Sequence, residues 1–217
     1  MVKATKVIRS QYERQVQEIQ SDVLRMGALV EKSCGLAHQA LFERDVTVPD
    51  LLARQDKQID QYYRQIEETC LKLIALQSPV ATDLRLIGAL MQLVRDLERI
   101  GDYAEDLGEV SVKLFPYPVP LYMGEVEHMS DLTRAMLSMS LAALTNLDAE
   151  SGLEIKRRDD AVDDCYEQIY DLLAQTDSHE PVEPLLLMML VIRALERMAD
   201  HATNIGRRVA YIVTGQR

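Results

Sequence analysis

Apolar residues recur along almost the whole chain at spacings of three and four, the pattern of helices that each bury one face. From about Val7 to Arg44 the stripe is Ile19, Val23, Met26, Val30, Ala37 and Leu41. Pro49 breaks it, and Asp50 opens a second helix running to about Leu76, with Ile59, Tyr63, Ile66, Cys70 and Leu73 on its core side. Ser78-Pro79 makes the next break. The third helix, with Asp83 in its first turn, carries Leu86, Leu90, Leu93, Leu97, Ile100, Ala104 and Leu107, a bundle seam that ends before Pro116.

After the stretch Phe115–Tyr122, where prolines concentrate, the pattern starts again. A fourth helix is predicted from about Gly124 to Leu147 and a fifth from about Glu150 to Gln175. Thr176–Pro181 turns the chain into a sixth that continues to about Val213, with Met188, Val191, Leu195, Met198, Ala202, Ile205, Val209 and Ile212 as its stripe. The two halves are copies: Asp56-x-x-Ile59-Asp60-x-x-Tyr63 recurs as Asp159-x-x-Val162-Asp163-x-x-Tyr166, and Arg95–Ala104 recurs as Arg193–Ala202. The expected fold is all-α, two tandem antiparallel three-helix bundles related by an internal repeat. The first covers residues 1–114, a Pro-rich linker 115–122, and the second 123–217.

Composition narrows the class. No Trp, two Phe and nine Gly leave Leu, Ile, Val, Ala and Met to fill the core. A net charge of −11 argues against nucleic acid as a partner. Cys34, Cys70 and Cys165 lie far apart and read as free thiols of a reducing cytoplasm. The charged start does not resemble a signal peptide, and the apolar run Leu185–Ile192 is too short to span a bilayer. The chain is expected to be cytoplasmic and to meet a membrane only through partners.

The candidate chemistry lies in the duplicated acidic rows. Glu98 and Asp102, like Glu196 and Asp200, are four residues apart and share a helix face, where a like-charge pair costs roughly 0.2–0.5 kcal/mol. Folding helices two and three into an antiparallel hairpin about Pro79 sets Asp60 level with Glu98 and Asp56 level with Asp102. The same operation in the second half sets Asp163 level with Glu196 and Asp159 level with Asp200. Both rows point away from the apolar seam, toward the outside of the bundle. Asp106 and its repeat counterpart Asn204 sit at the rims. An all-oxygen set without Cys suits Mg, Mn, Ca or Fe better than a structural Zn site, and several ions fit on one shallow face. The competing reading is a solvated surface with Arg95, Arg99, Arg193 and Arg197 paired to the carboxylates. His201, which Tyr103 replaces in the first half, reads as a surface or capping residue. Gly27 reads as a close helix approach, and Met136, Met139, Met188 and Met189 as core filling.

The doubled Leu-Glu-Arg-x-x-Asp at Leu97–Asp102 and Leu195–Asp200, the preceding Asp-x-x-Ile/Val-Asp, and the opening Met26-Gly27-x-Leu29-Val30-Glu31 resemble the PhoU family of phosphate-uptake regulators, over about residues 8–213. The resemblance implies two bundles carrying multinuclear metal on their surfaces, with Fe, Mg, Mn or Zn as the candidate ions. Asp56, Asp60, Glu98 and Asp102 would serve one site, and Asp159, Asp163, Glu196 and Asp200 the other. It further implies a non-enzymatic negative regulator of phosphate homeostasis. Its expected partners are the ATPase subunit of an ABC phosphate transporter, a sensor histidine kinase, and a second copy of itself as a homodimer. The alternative class is a carboxylate-bridged metalloenzyme, a di-iron oxidase or a phosphohydrolase on a helical bundle. Di-iron bundles place a Glu-x-x-His on each of two helices, whereas the sequence has one, Glu125–His128.

Overall fold

A computed structural model describes residues 2–176 and 181–216, with side chains from residue 11 onward. Six helices follow one another: α1 Val2–Phe42, α2 Val48–Gln77, α3 Thr82–Leu114, α4 Met123–Asn146, α5 Ala149–Ala174 and α6 Val182–Thr214. Among the described residues there is no strand. The expected helices differ from these by a few residues at their ends, except that α1 begins earlier than the apolar stripe suggested. Residues 177–180 of the turn between α5 and α6 lie outside the described residues.

The breaks have local causes. α2 ends at Ser78, whose left-handed backbone (φ 44°) lets its amide reach the Ile74 carbonyl at 3.1 Å. α4 ends the same way at Leu147 (φ 49°), and Asp148 then caps α5 by accepting from the amides of Glu150 and Ser151, each at 3.1 Å. Its repeat counterpart Asp45 does related work before α2, accepting from the Thr47 amide at 2.9 Å. Both carboxyls are held below the usual range, first by those hydrogen bonds: to the Thr47 amide for Asp45, to the Ser151 hydroxyl for Asp148.

The α3 seam from Leu90 to Leu107 and the entire α6 stripe are buried; Leu86 is only half-buried and Ile87 takes its place inside. Each fully buried Leu or Ile contributes roughly 1.5–3 kcal/mol. Within the halves α1, α2 and α3 pack on one another, as do α4, α5 and α6. The halves are not separate beads. α3 lies against α6 and α1 against α4, and the buried residues of both bundles form one continuous core. Gly27 allows the α1–α4 approach, since a Cβ there would meet Leu141 Cδ2 at 2.6 Å. α3 and α6 run antiparallel: Arg85 touches Gly215 near one end, and Tyr117 of the linker after α3 bonds Glu183 near the other. No described helix is long and apolar enough to cross a membrane.

Candidate metal centres on two helical faces

Both acidic rows lie where a helix hairpin is drawn tight by glycine. A Cβ on Gly101 would come within 3.0 Å of Ile59, and one on Gly108 within 2.5 Å of Leu52, so α3 presses closely on α2. In the second half Gly152 of α5 and Gly206 of α6 touch backbone to backbone. The first approach brings Asp60 within electrostatic reach of Glu98, and Asp56 of Asp102. The second brings Asp163 within reach of Glu196 and Asp200.

The carboxylates are mostly half-buried, on the rim of the α2–α3 and α5–α6 hairpins rather than fully outside. Asp159 departs furthest from the expected exterior position. It is 3% exposed, because the α5–α6 contact at Gly152 and Gly206 draws its side of α5 inward, and Lys156 closes over it at 2.8 Å. Asp106 and Asp163 are exposed and Asn204 is half-buried.

Burial, and after it the crowding of like charge, raises several of these acids above the usual carboxylate range. Burial, then Asp60, lifts Asp56; burial, then Asp102, lifts Glu98. Asp102, Glu105 and Asp106 are lifted first by burial and then by acidic neighbours, against the pull of Arg99 on Asp102 and Asp106. In the second cluster Asp163 and Glu196 are raised for the same reasons, with Arg193 opposing at Glu196. Two carboxylate oxygens, Asp56 Oδ1 in the first cluster and Glu196 Oε2 in the second, are buried without a hydrogen bond. Arg193 stands 3.1 Å from both Glu196 oxygens, but its N–H is aimed at Oε1.

Three other carboxylates turn to cations of the chain itself. Asp60 pairs with Arg64 at 2.6 Å, Asp102 with Arg99 at 2.7 Å and Asp200 with Arg197 at 3.0 Å. In these conformations no three His, Cys, Asp or Glu side chains among the described residues converge on one point. Exposed pairs of this kind hold their partners by about 0–1 kcal/mol, so a divalent ion can exchange them at little cost. The donor set fits such an ion: oxygen only, repelling one another, with a buried oxygen that lacks a hydrogen bond on each face.

Two features escaped the reading of the sequence. Glu105 joins the first cluster, close enough to Asp56 for each to act on the other. Its signal was available, since Glu98, Asp102, Glu105 and Glu109 follow a four-three-four spacing down one face of α3. The repeat counterpart is Thr203, so the first cluster is the more acidic. The second feature is His201, neither a surface nor a capping residue: it is half-buried and its Nδ1 lies 2.8 Å from Asp96 of the other bundle.

The raised acids give a pH dependence with a definite sign. A carboxyl whose folded pKa exceeds its unfolded one binds more protons when folded, so stability is present at low pH and lost as pH rises through the folded pKa. Metal-free protein is expected to melt a few degrees higher at about pH 5.5 than at about pH 7.5, with the difference shrinking in Glu98→Gln/Asp102→Asn. Saturating Mn²⁺ should remove most of the gap. A gap of the same size in that variant would detach the clusters from the effect.

Fold and site together define a class: an internally duplicated helical protein whose paired hairpins each carry a row of carboxylates. The sequence matches the family described as PhoU domain twice, over residues 23–111 and 126–209. The chain belongs to the PhoU family. It is 55% identical over 210 residues to a phosphate-specific transport system accessory protein PhoU homolog of Synechocystis sp., covering 96% of this chain and 94% of that one. It is 35% identical over 211 residues to the protein of the same name in Pseudomonas putida, covering 96% and 82%. Among solved structures, PhoU from Pseudomonas aeruginosa superposes with a TM-score of 0.91 at 33% identity, covering 94% of this chain and all of that one. The phosphate transport system regulatory protein PhoU from Streptococcus pneumoniae gives 0.86 at 27% identity, covering 94% and 98%.

Proposed function

We propose that this protein is an accessory regulator of phosphate uptake that represses the phosphate-starvation response when phosphate is plentiful. It does so as an adaptor between the ATPase subunit of the ABC transporter and a sensor histidine kinase, in the cytoplasm and without a catalytic step. The single observation that supports this reading is the end-to-end likeness to proteins named for that transport system. Divalent metal belongs to the same reading. Asp56, Asp60, Glu98 and Asp102, with Glu105 and Asp106 at the rim, would hold it on one face; Asp159, Asp163, Glu196 and Asp200, with Asn204 at the rim, on the other. Bound there, a cation supplies positive charge that neutralises the opposed carboxylates and ties α2 to α3 and α5 to α6.

Deleting the gene in the cell that makes the protein should leave the starvation response on in phosphate-rich medium. Tagged protein should retain the transporter ATPase and the kinase from detergent extracts of membranes. A response that still shuts off in the deletion strain would overturn the regulatory reading. Robust turnover of ferrous iron or a phosphate ester by metal-loaded protein would replace it with the metalloenzyme.

A further inference from the structure

The N-terminal half of α6 carries an apolar stripe that the described residues leave largely uncovered. Val182, Leu186 and Leu190 stand one turn apart and are 63%, 61% and 57% exposed. The fold does not demand them. Where α6 has Leu186 and Leu190, the equivalent turns of α3 carry Gly88 and Gln92, although the buried positions around them are apolar in both copies. Beside Leu190 a recess of about 340 Å³ opens between α6 and α3, with Leu107, Val110 and Ala194 in its lining. Charge brackets the stripe. Glu183, Leu186, Leu190 and Arg193 follow a three-four-three spacing and fall within an arc of about 80° on the helix. Glu183 and Arg193 lie five residues to either side of Met188, and Leu186 and Leu190 lie two.

We infer that this stripe is an interface between two copies of the chain, paired α6 to α6, antiparallel, about a two-fold axis level with Met188. That operation sets Leu186 of each copy against Leu190 of the other, and Glu183 of each against Arg193 of the other. A parallel pairing would set glutamate on glutamate and arginine on arginine, so charge fixes the orientation. A chain of net charge −11 repels its own copy over most of its surface, and a face bearing both signs in self-complementary order offsets that. Neither charge has to abandon its present partner. Arg193 gives one N–H to Glu196 at 3.1 Å, keeps 53% of its side chain open and has further donors free to turn outward. The Glu183 carboxylate accepts from the Tyr117 hydroxyl and has lone pairs to spare. Three turns of one helix make an interface at the small end for specific association, so the dissociation constant belongs in the micromolar range.

The interface stands apart from the metal and adaptor readings and survives the failure of either. Sedimentation velocity of the whole protein from about 1 to about 500 µM tests it. Wild type is expected to pass from monomer to dimer within that range. Glu183→Arg and Arg193→Glu, each alone, create two like-charge contacts in the dimer and should raise the dissociation constant at least about tenfold. Mixed in equal amounts, the two variants face opposite charges again at both ends, so the mixture should dimerise as wild type does, as should a chain carrying both reversals. Leu186→Gln should weaken the dimer at least about tenfold through lost apolar burial. All four positions are exposed, and circular dichroism and melting should match wild type. Wild type that stays monomeric throughout leaves the stripe to some other partner and overturns the inference. A dimer indifferent to these substitutions is built on another face and overturns it too. Single reversals that weaken the dimer without recovery in the mixture overturn the antiparallel register.

Discussion

Purified protein carrying Glu98→Ala and Asp102→Ala is expected to retain about half the metal of wild type, with its helical content unchanged. The two side chains supply the α3 half of the first cluster, facing Asp56 and Asp60 across the hairpin. Their removal leaves too few oxygens for a hard ion, while the second cluster, on α5 and α6, is untouched. Neither side chain is part of the core, so the fold has no reason to fail. Losing two mutually repelling carboxyls should, if anything, stabilise the metal-free protein near neutral pH. Elemental analysis after loading with Mn²⁺ or Fe²⁺ checks the stoichiometry, and circular dichroism checks the helices. Glu18→Ala with Glu68→Ala removes the same charge from exposed positions outside the clusters and should change nothing. Equal metal in the cluster variant and this control would eliminate the first site.

The second large effect concerns packing. Gly206→Ala places a methyl on the carbonyl oxygen of Gly152 and 2.9 Å from Ile155 Cδ1, and the reciprocal Gly152→Ala comes 2.6 Å from the Gly206 oxygen. Backbone cannot rotate aside as a side chain can. The α5 and α6 helices must part, at a cost of about 1–3 kcal/mol or a fall of about 2–12 °C in melting temperature. The separation also pulls Asp163 away from Glu196 and Asp200, so metal at the second cluster should weaken while the first keeps its share. Gly88→Ala makes the contrast. Nothing lies within 4 Å of a Cβ there, and replacing a mid-helix glycine should stabilise by up to about 1 kcal/mol. Differential scanning calorimetry of the three variants decides it; Gly206→Ala melting with wild type would mean the contact is not tight in solution.

How far the site was readable depended on the distance over which the deciding contact acts. Asp60 opposite Glu98 could be found by folding the chain about Pro79, since a short turn between two long helices leaves little choice of register. Glu105 was within reach of the same reasoning, because α3 repeats its acidic face at four-three-four spacing. The burial of Asp159 was not. It depends on how deeply α5 sinks into α6 at Gly152 and Gly206, a property of two glycines whose meeting no periodicity announces. The Asp96–His201 pair and the contact of the Tyr103 and His201 rings were equally hidden. They join residues roughly a hundred positions apart on helices from different bundles.

By itself, then, the sequence determined six helices, their duplication and, in the first hairpin, the facing of Asp60 to Glu98 and Asp56 to Asp102, because helical period and short connections are local and admit few solutions. Only the tertiary structure decided how the two bundles meet. That arrangement follows from matching large apolar surfaces along α3–α6 and α1–α4, where many registers bury similar area and a few close contacts, at Gly27 against Leu141 and at His201 against Asp96, select one.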